Sequence, residues 1–345
     1  MPSSPEKPLR DIGENRLVCR FRTLATAALT SGVLLGPGDD AAILRLPPGR
    51  VALLTCDMMV EDIHFRRAWI SPWQLGWKAM AQNLSDIAAM GGEPGFAVAS
   101  LALPGTADKG MADGISEGLI AAASRYGAAL VGGDLVGSPG PIAVDVSVLG
   151  WVEEEVALQR RGVRPGDRLL VTGTLGASAA GLQALLQGRQ QEDDPHFRQA
   201  LTAHHEPQPR LKEGRAIALS RAATAMMDLS DGLAADLPRL CTESGVGAKL
   251  FLAQVPVAEA CRAVAAGLGL DPVSLAVSGG EDYELLFTCP AEAVARMRAV
   301  VAEAGGLSAT EIGEIVDGPA IIALDPQGRS VPLAQGFDHF ASRSG

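Results

Sequence analysis

The sequence predicts a two-domain α/β protein of the α+β type. Three observations lead there. Apolar runs of strand length alternate with amphipathic stretches of helix length in both halves. A polar segment from Glu153 to Arg168, containing Pro165-Gly166-Asp167, separates those halves. The 345 residues exceed one ordinary hydrophobic core. The expected organisation is a leader at 1–10, an N-terminal domain at 11–152 and a C-terminal domain at 153–345.

The elements follow in chain order. Residues Glu14 to Leu29 place apolar side chains at helical spacing and stop near Ser31-Gly32. A Gly/Pro-rich turn, LLGPGDDAAI, runs from Leu34 to Ile43. The β-rich run Val51 to Thr55 reads as a strand leading into TCDMMVEDIHF. Pro72 suits the first turn of a helix that continues to about Met90 and ends at Gly91-Gly92. Phe96 to Leu103 reads as a buried strand, Ala107 to Tyr126 as a helix, and Ala128 to Val131 as a short strand ending in GGDLVGS. Ile142 to Val152 closes the first half as a strand.

The second half opens with a strand at Leu169 to Thr172 and TGTLGASAAGL leading into a helix. Gln190 to Pro209 is polar, with three prolines, and reads as a surface excursion with His196, His204 and His205 in a solvated loop. Leu211 to Leu219 is helical. The apolar run Ala222 to Met227 reads as a strand, followed by DLSDG and a helix from Leu233 to Leu240. Glu281 and Asp282 form a turn before a strand at Tyr283 to Thr288. A helix at Ala291 to Ala304 and strands near Ile312 and Ile321 complete the pattern.

Composition excludes several classes. Hydrophobic content of 47% with 20% charged residues describes a globular chain. Aromatic content of only 4% beside 40 glycines predicts an aliphatic core with close backbone approaches. A formal charge of −11 with no Lys/Arg cluster argues against a nucleic-acid partner. The odd number of cysteines (Cys19, Cys56, Cys241, Cys261, Cys289), without a C-x-x-C pair, reads as reduced thiols. No signal peptide and no run of membrane-spanning length is present, so the expected compartment is the cytoplasm.

No P-loop, G-x-G-x-x-G, protein-kinase or H-E-x-x-H motif occurs. What recurs is aspartate beside Gly or Ser at expected element ends: Asp39 and Asp40, Asp57, Asp86, Asp134, Asp228 and Asp231. Each alone can be a turn or cap residue, and Ser230 or Asp231 can simply cap the helix after it. Together they suggest one site, because α/β proteins assemble ligand groups at strand ends. Two like charges 4 Å apart repel by about 4 kcal/mol at an effective dielectric near 20. Gathered carboxylates therefore need divalent cations, and hard oxygen ligands suit Mg²⁺. The echo between Asn83-Leu84-Ser85-Asp86 and Asp228-Leu229-Ser230-Asp231 is too short to establish a duplication.

Taken in order, LLGPGDDAAI, TCDMMVEDIHF, NLSDIAAMGG, GGD, RPGDRLLVTGTLGASAAGL, MDLSDGL, SGGEDYELLFT and FDHF resemble the thiamine-monophosphate kinase family. That family belongs to the aminoimidazole-ribonucleotide-synthetase-like superfamily, and the resemblance spans about Asp11 to Phe340. It implies an N-terminal ATP- and Mg²⁺-binding domain whose sheets pair across a homodimer. It also implies γ-phosphoryl transfer from ATP to thiamine monophosphate, giving thiamine diphosphate and ADP. By motif, Asp40, Thr55, Asp57, Asp86, Asp134, Asp228 and Asp231 would hold Mg²⁺, with Asp57 and Asp231 central to catalysis. Gly133, Asp134, Arg160 and Ser230 would contact ATP. His64, Glu281 and Phe337 would line the thiamine phosphate pocket.

Other readings of single residues stay open. Cys56 stands where the family usually has a hydroxyl, so either the metal meets only its backbone carbonyl or that contact is lost. Arg161 and Arg164 compete with Arg160. His64 can be a structural histidine, and Phe337 can be tail packing. Two rival functions remain: another ATP-dependent member of the superfamily, such as a selenophosphate synthetase-like enzyme, or a nucleotide-binding subunit without turnover.

Overall fold

The computed structural model describes residues 8–12 and 14–333. Most of the expected leader, and Phe337 with the whole FDHF tail, lie outside the described residues. The chain divides into two compact units, Met1–Ile87 with Gly92–Glu155, and Ala88–Gly91 with Val156–Gly345.

The first unit contains α1 (Leu9–Ile12), α2 (Glu14–Thr26), β1 (Val33–Leu35), β2 (Ile43–Leu44), β3 (Val51–Val60), α3 (Pro72–Ala89), β4 (Glu93–Pro104), α4 (Lys109–Arg125), β5 (Ala129–Ser138) and β6 (Ala143–Val152). Its four-stranded sheet has the order β3-β6-β4-β5, with only β4 and β5 parallel. Ser71 opens α3 with a reciprocal cap: its hydroxyl accepts the Gln74 N–H, and the Gln74 side chain accepts the Ser71 N–H. Pro72 occupies the first helical position, where its missing N–H costs nothing. The expected close approaches are present. A Cβ at Gly76 would lie 2.0 Å from the Ile115 carbonyl oxygen, and one at Gly118 would lie 1.9 Å from that of Trp73. Helices α3 and α4 therefore touch backbone to backbone, which any larger side chain would prevent.

The second unit contains β7 (Arg168–Thr172), α5 (Ala177–Leu186), α6 (Pro195–His205), α7 (Leu211–Ser220), β8 (Ala225–Asp228), α8 (Leu233–Thr242), β9 (Gly247–Phe251), α9 (Glu259–Leu268), α10 (Pro272–Ser278), β10 (Leu285–Cys289), α11 (Val294–Gly305), β11 (Ala309–Val316), β12 (Ile321–Leu324) and β13 (Ser330–Val331). Seven strands form one sheet, β13-β12-β9-β11-β7-β10-β8, in which β9 and β12 are parallel and the other pairs antiparallel. Its core is aliphatic, with Leu169, Val171, Leu237, Leu250, Val264 and Ile312 at most 0% exposed.

Several expectations are corrected. The strand read as Val51 to Thr55 continues to Val60, and the one read as Ala128 to Val131 continues to Ser138. Asp57 and Asp134 therefore sit inside strands, and Asp86 inside α3, rather than at element ends. The GGD run does not turn because Gly133 has no side chain: a Cβ there would meet the Ala99 carbonyl oxygen at 2.0 Å, so its absence lets β5 stay paired with β4. Residues 195–205 form a helix, not a loop, capped by Asp194, whose carboxylate accepts the His196 and Phe197 N–H groups. His204 and His205 are buried on it, at 5% and 8% exposed. No single helix among the described residues is long and apolar enough to cross a membrane.

Candidate active site

In the first unit, strand alternation sorts the candidate residues. Leu53, Thr55, Asp57 and Met59 share one face of β3, and the burial of Leu53 and Met59 marks it as the covered one. Asp86 reaches that face from α3, where its carboxylate accepts a hydrogen bond from the Thr55 hydroxyl. Thr55, Asp57 and Asp86 thus supply oxygen donors to one side of the sheet.

Cys56 points the other way. It pairs with Ser147 on β6, and its thiol lies 3.3 Å from Asp145 Oδ1. The Ser147 contact pulls the thiol's pKa down, but partial burial and the charges of Asp145 and Asp57 outweigh it and leave it raised. A protonated thiol is a poor ligand for a hard cation. Asp40 lies in the exposed turn between β1 and β2, where its N–H donates to Asp39 at 2.9 Å.

Asp134 lies on the edge strand β5, in register with Ser100, which is in register with Asp145. Gly133 and Asp134 line a cavity whose other walls include Leu17, Val18 and Phe21 of α2 and Leu101 of β4. A pocket with apolar walls and Gly133, Ser116 and the carboxylates of Asp113 and Asp134 among its lining has the make-up of a small-molecule site.

His64 follows β3 in a tight turn that Asp62 allows by taking a left-handed backbone, φ 64°. The Val60 N–H donates to His64 Nδ1 at 3.0 Å. In the neutral ring the proton therefore sits on Nε2, which makes that nitrogen a donor.

In the second unit, β8 delivers Asp228 at its end, in register with Leu285 of β10. Beyond it, the backbone of residues 229–231 is strapped to the Gly279–Glu284 loop. Leu229 donates to the Glu284 carbonyl oxygen at 2.9 Å, Tyr283 to that of Leu229 at 2.9 Å, and Glu281 to that of Ser230 at 2.8 Å. The loop takes left-handed backbone at two non-glycine positions, Glu281 at φ 66° and Tyr283 at φ 51°. Each such residue costs of order 1–3 kcal/mol, so the surrounding bonds must hold it. Tyr283 consequently cannot start the strand, and β10 begins at Leu285, two residues later than the sequence suggested.

Neither Ser230 nor Asp231 caps α8. Gly232 occupies the cap position, at φ 95°, with no side-chain bond. Instead Asp236 reaches back from the first turn, accepting the Ser230 and Asp231 N–H groups at 3.1 and 3.0 Å. Arg239 bridges Asp231 and Asp236 at 2.7 Å to each. Asp236 is fully buried, and burial with the nearby Asp231 charge pushes its pKa up to about 6 against the pull of Arg239. Sequence reasoning missed Asp236; its signal was an aspartate one turn into a helix that already had cap candidates.

Glu284, beside this loop, is buried and paired in two prongs with Arg210, at 2.6 and 3.0 Å, and with the Thr172 hydroxyl at 2.6 Å. Burial raises its pKa while Arg210 lowers it, for a net rise. Breaking such a pair by removing one partner costs about 3–5 kcal/mol. Asp282 accepts the Gly176 N–H at 2.8 Å at the start of α5, and burial pushes it up to about 7. Of the three arginines, Arg161 is tied to Gln159 and Arg164 lies in the turn closed by Asp167. Arg160 is exposed next to Gln159, whose carbonyl oxygen accepts the Met226 N–H at 3.0 Å along β8.

Among the described residues, no three His, Cys, Asp or Glu side chains lie close enough to hold a metal ion unaided. The donors are instead Thr55 and Asp86, hydrogen-bonded to each other, Asp57 on the same face of β3, Asp228 at the end of β8 and Asp231 in the loop after it. This fits Mg²⁺, which binds through one or two carboxylates and fills its remaining positions with water and phosphate oxygens.

Residues 38–152 match the AIR synthase related protein N-terminal domain, and residues 164–325 the C-terminal domain. A thiamine-monophosphate kinase from Salmonella typhimurium is 36% identical over 96% of this chain and 99% of its own. The crystal structure of thiamine-monophosphate kinase from Stenotrophomonas maltophilia superposes with TM-score 0.80 at 32% identity, over 91% of this chain and 96% of that one. A structure described as AaThiL complexed with AMPPCP and TMP superposes with TM-score 0.76 at 32% identity, over 98% and 100%.

Proposed function

The chain belongs to the thiamine-monophosphate kinase family of AIR synthase related proteins, and from that premise we propose that it transfers the γ-phosphoryl group of ATP to thiamine monophosphate. The products are thiamine diphosphate and ADP. The observation that carries this reading is the likeness to such kinases over 96% of the chain. The relative complexed with AMPPCP and TMP supports the choice of substrates.

The acceptor explains the lack of a general-base motif. A phosphate monoester with a second pKa near 6 is largely dianionic at neutral pH and attacks without deprotonation. The barrier is the approach of two anions, so the protein's tasks are neutralisation and in-line positioning. Bound Mg²⁺ would supply positive charge to the phosphate oxygens. The candidate ligands are Asp40, Thr55, Asp57, Asp86 and Asp134 in the first unit, and Asp228 and Asp231 in the second. For Cys56 only the backbone carbonyl is a reasonable ligand.

The adenosine end of ATP would enter the cavity edged by Gly133 and Asp134, whose apolar walls suit a base. Arg160 and Ser230 are the second unit's candidate ATP contacts. His64 would offer its Nε2–H to the substrate phosphate. Glu281 would set its carboxylate against the cationic thiazolium ring, and Phe337 would stack on the substrate.

A homodimer completes the proposal. On the open face of the β3-β6-β4-β5 sheet, Leu54, Met58, Val98 and Val136 are 76%, 54%, 43% and 50% exposed. Exposed apolar side chains spread across one sheet face suit a partner surface, and a second copy of the same sheet offers a matching one. Unpaired thiols support a reducing, cytoplasmic setting.

Incubated with ATP, Mg²⁺ and thiamine monophosphate, the protein should release ADP and thiamine diphosphate in equal amounts. Turnover only with another acceptor, such as selenide, would move the assignment elsewhere in the superfamily. Nucleotide binding without turnover on any acceptor would make the chain a binding subunit.

A further inference from the structure

Three polar side chains from separate elements of the second unit meet inside it. His204, on the last turn of α6, has Nδ1 3.0 Å from the Ser178 hydroxyl of α5 and 3.2 Å from Glu281 Oε2. Ser178 is 1% exposed and the His204 side chain 6%, whereas Glu281 keeps 26% of its surface open. One ring nitrogen thus faces two oxygens. A hydrogen on Nδ1 can be shared between them, whereas a bare Nδ1 would set its lone pair against a carboxylate. The geometry selects the Nδ1–H form.

Glu281 lies in the strained loop before β10. Its backbone is left-handed and strapped by its N–H to the Ser230 carbonyl oxygen, next to Asp231. The flanking residues are Gly280 and the α5-capping Asp282. A glutamate side chain with three rotatable bonds loses rotamer freedom when ordered. A buried donor that takes one carboxylate oxygen removes that cost before substrate arrives.

We propose that His204 is a positioning residue for thiamine monophosphate, holding the Glu281 carboxylate aimed at the cationic ring. Ser178 in turn fixes the imidazole. The inference rests on the reading that Glu281 lines the substrate pocket. It makes His204 a determinant of acceptor affinity that touches neither ATP nor the transferred group.

The test is steady-state kinetics on the full-length protein, varying each substrate in turn. His204→Phe keeps a ring and loses the nitrogen, and is expected to raise the KM for thiamine monophosphate about 10-fold. Its kcat and its KM for ATP should stay within about twofold, the pattern of lost ground-state binding. His204→Asn, whose amide nitrogen can stand where Nδ1 does, should restore the KM. Glu281→Gln should raise it similarly, and adding His204→Phe to Glu281→Gln should change little more. Should His204→Phe not fold, His204→Leu repeats the measurement, with thermal unfolding confirming the native state.

The inference is overturned if Glu281→Gln raises the acceptor KM while the His204 variants do not, or if they raise both KM values equally. An unchanged KM in Glu281→Gln would overturn it by removing Glu281 from the pocket. Absence of turnover in the unaltered protein would instead reject the kinase reading itself.

Discussion

Thr55, Cys56 and Asp57 are consecutive, yet only the outer two share the face that Asp86 reaches. This alternation separates residues that a motif alone treats as a block. Asp57→Asn and Asp231→Asn each replace a carboxylate oxygen that would hold Mg²⁺ with an amide. Each is expected to lower kcat by about 100-fold or more at saturating Mg²⁺, with unchanged thermal unfolding. Near-normal kcat in either variant would remove that residue from the metal set. Cys56→Thr should leave the Mg²⁺ dependence within about twofold, because its side chain faces Asp145 on the opposite side of the sheet. A large gain in apparent Mg²⁺ affinity would show that this side chain does reach the ion.

Residue chemistry stood out where a carboxylate or hydroxyl sat in a recognisable run, as with Asp57, Asp86 and Asp231, whose metal-holding roles are part of the proposal. It was illegible where function depends on tertiary approach. Nothing near His204 in sequence mentions Ser178, 26 residues away, or Glu281. Its polar, proline-containing surroundings suggested solvent, and the helix that buries it was hidden by those prolines. In fact Pro195 begins that helix, where proline is favoured. Likewise the LSD echo dissolves on inspection: Ser85 and Asp86 lie within α3, whereas Ser230 and Asp231 lie in the loop between β8 and α8.

At the scale of elements, the loop joining α10 to β10 carries the local strain and the start of α5 answers it. Asp282 accepts the Gly176 N–H from a partly buried position, with its pKa raised from 3.8 to about 7 by desolvation and by Glu284 and Glu281, against that N–H. A carboxyl whose folded-state pKa is raised favours the protonated native state. Its stabilisation is complete below about pH 4 and is lost as pH climbs through 7. Asp282→Asn keeps an oxygen for Gly176 and cannot ionise. The variant should therefore match the unaltered protein near pH 3.5 and exceed it by about 3–4 kcal/mol near pH 8. Chemical denaturation at the two pH values checks this. A difference that stays constant with pH would show that Asp282 does not titrate in that window.

Element boundaries failed where pairing overrode local signals. Gly132-Gly133-Asp134 has the composition of a turn, but β4 pairs with β5 through Ser138 and keeps it extended. Tyr283 has a strand-former's side chain and a left-handed backbone, fixed by its bond to Leu229. Neither outcome can be read without knowing the neighbouring strand.

At the scale of the whole molecule, the chain forms two units of different strand order, each with its own candidate residues. Their existence was legible because the polar stretch 153–168 interrupts two alternating patterns. The open apolar face was not, since it appears only when β3, β6, β4 and β5 are laid side by side. If a second copy covers that face, Leu54→Asp should shift the protein from dimer to monomer in sedimentation velocity. A dimer of unchanged affinity would place the partner surface elsewhere. The acidic balance, −11 overall, is compatible with anionic substrates only if cations intervene, so Mg²⁺ dependence is intrinsic to the account.

The most direct measurement follows the phosphorus atom. With ATP labelled at its γ-phosphorus, thiamine monophosphate and Mg²⁺, the label should appear in the terminal phosphate of thiamine diphosphate, and chelation should abolish its appearance. Label released as inorganic phosphate, with thiamine monophosphate recovered unchanged, would contradict the account.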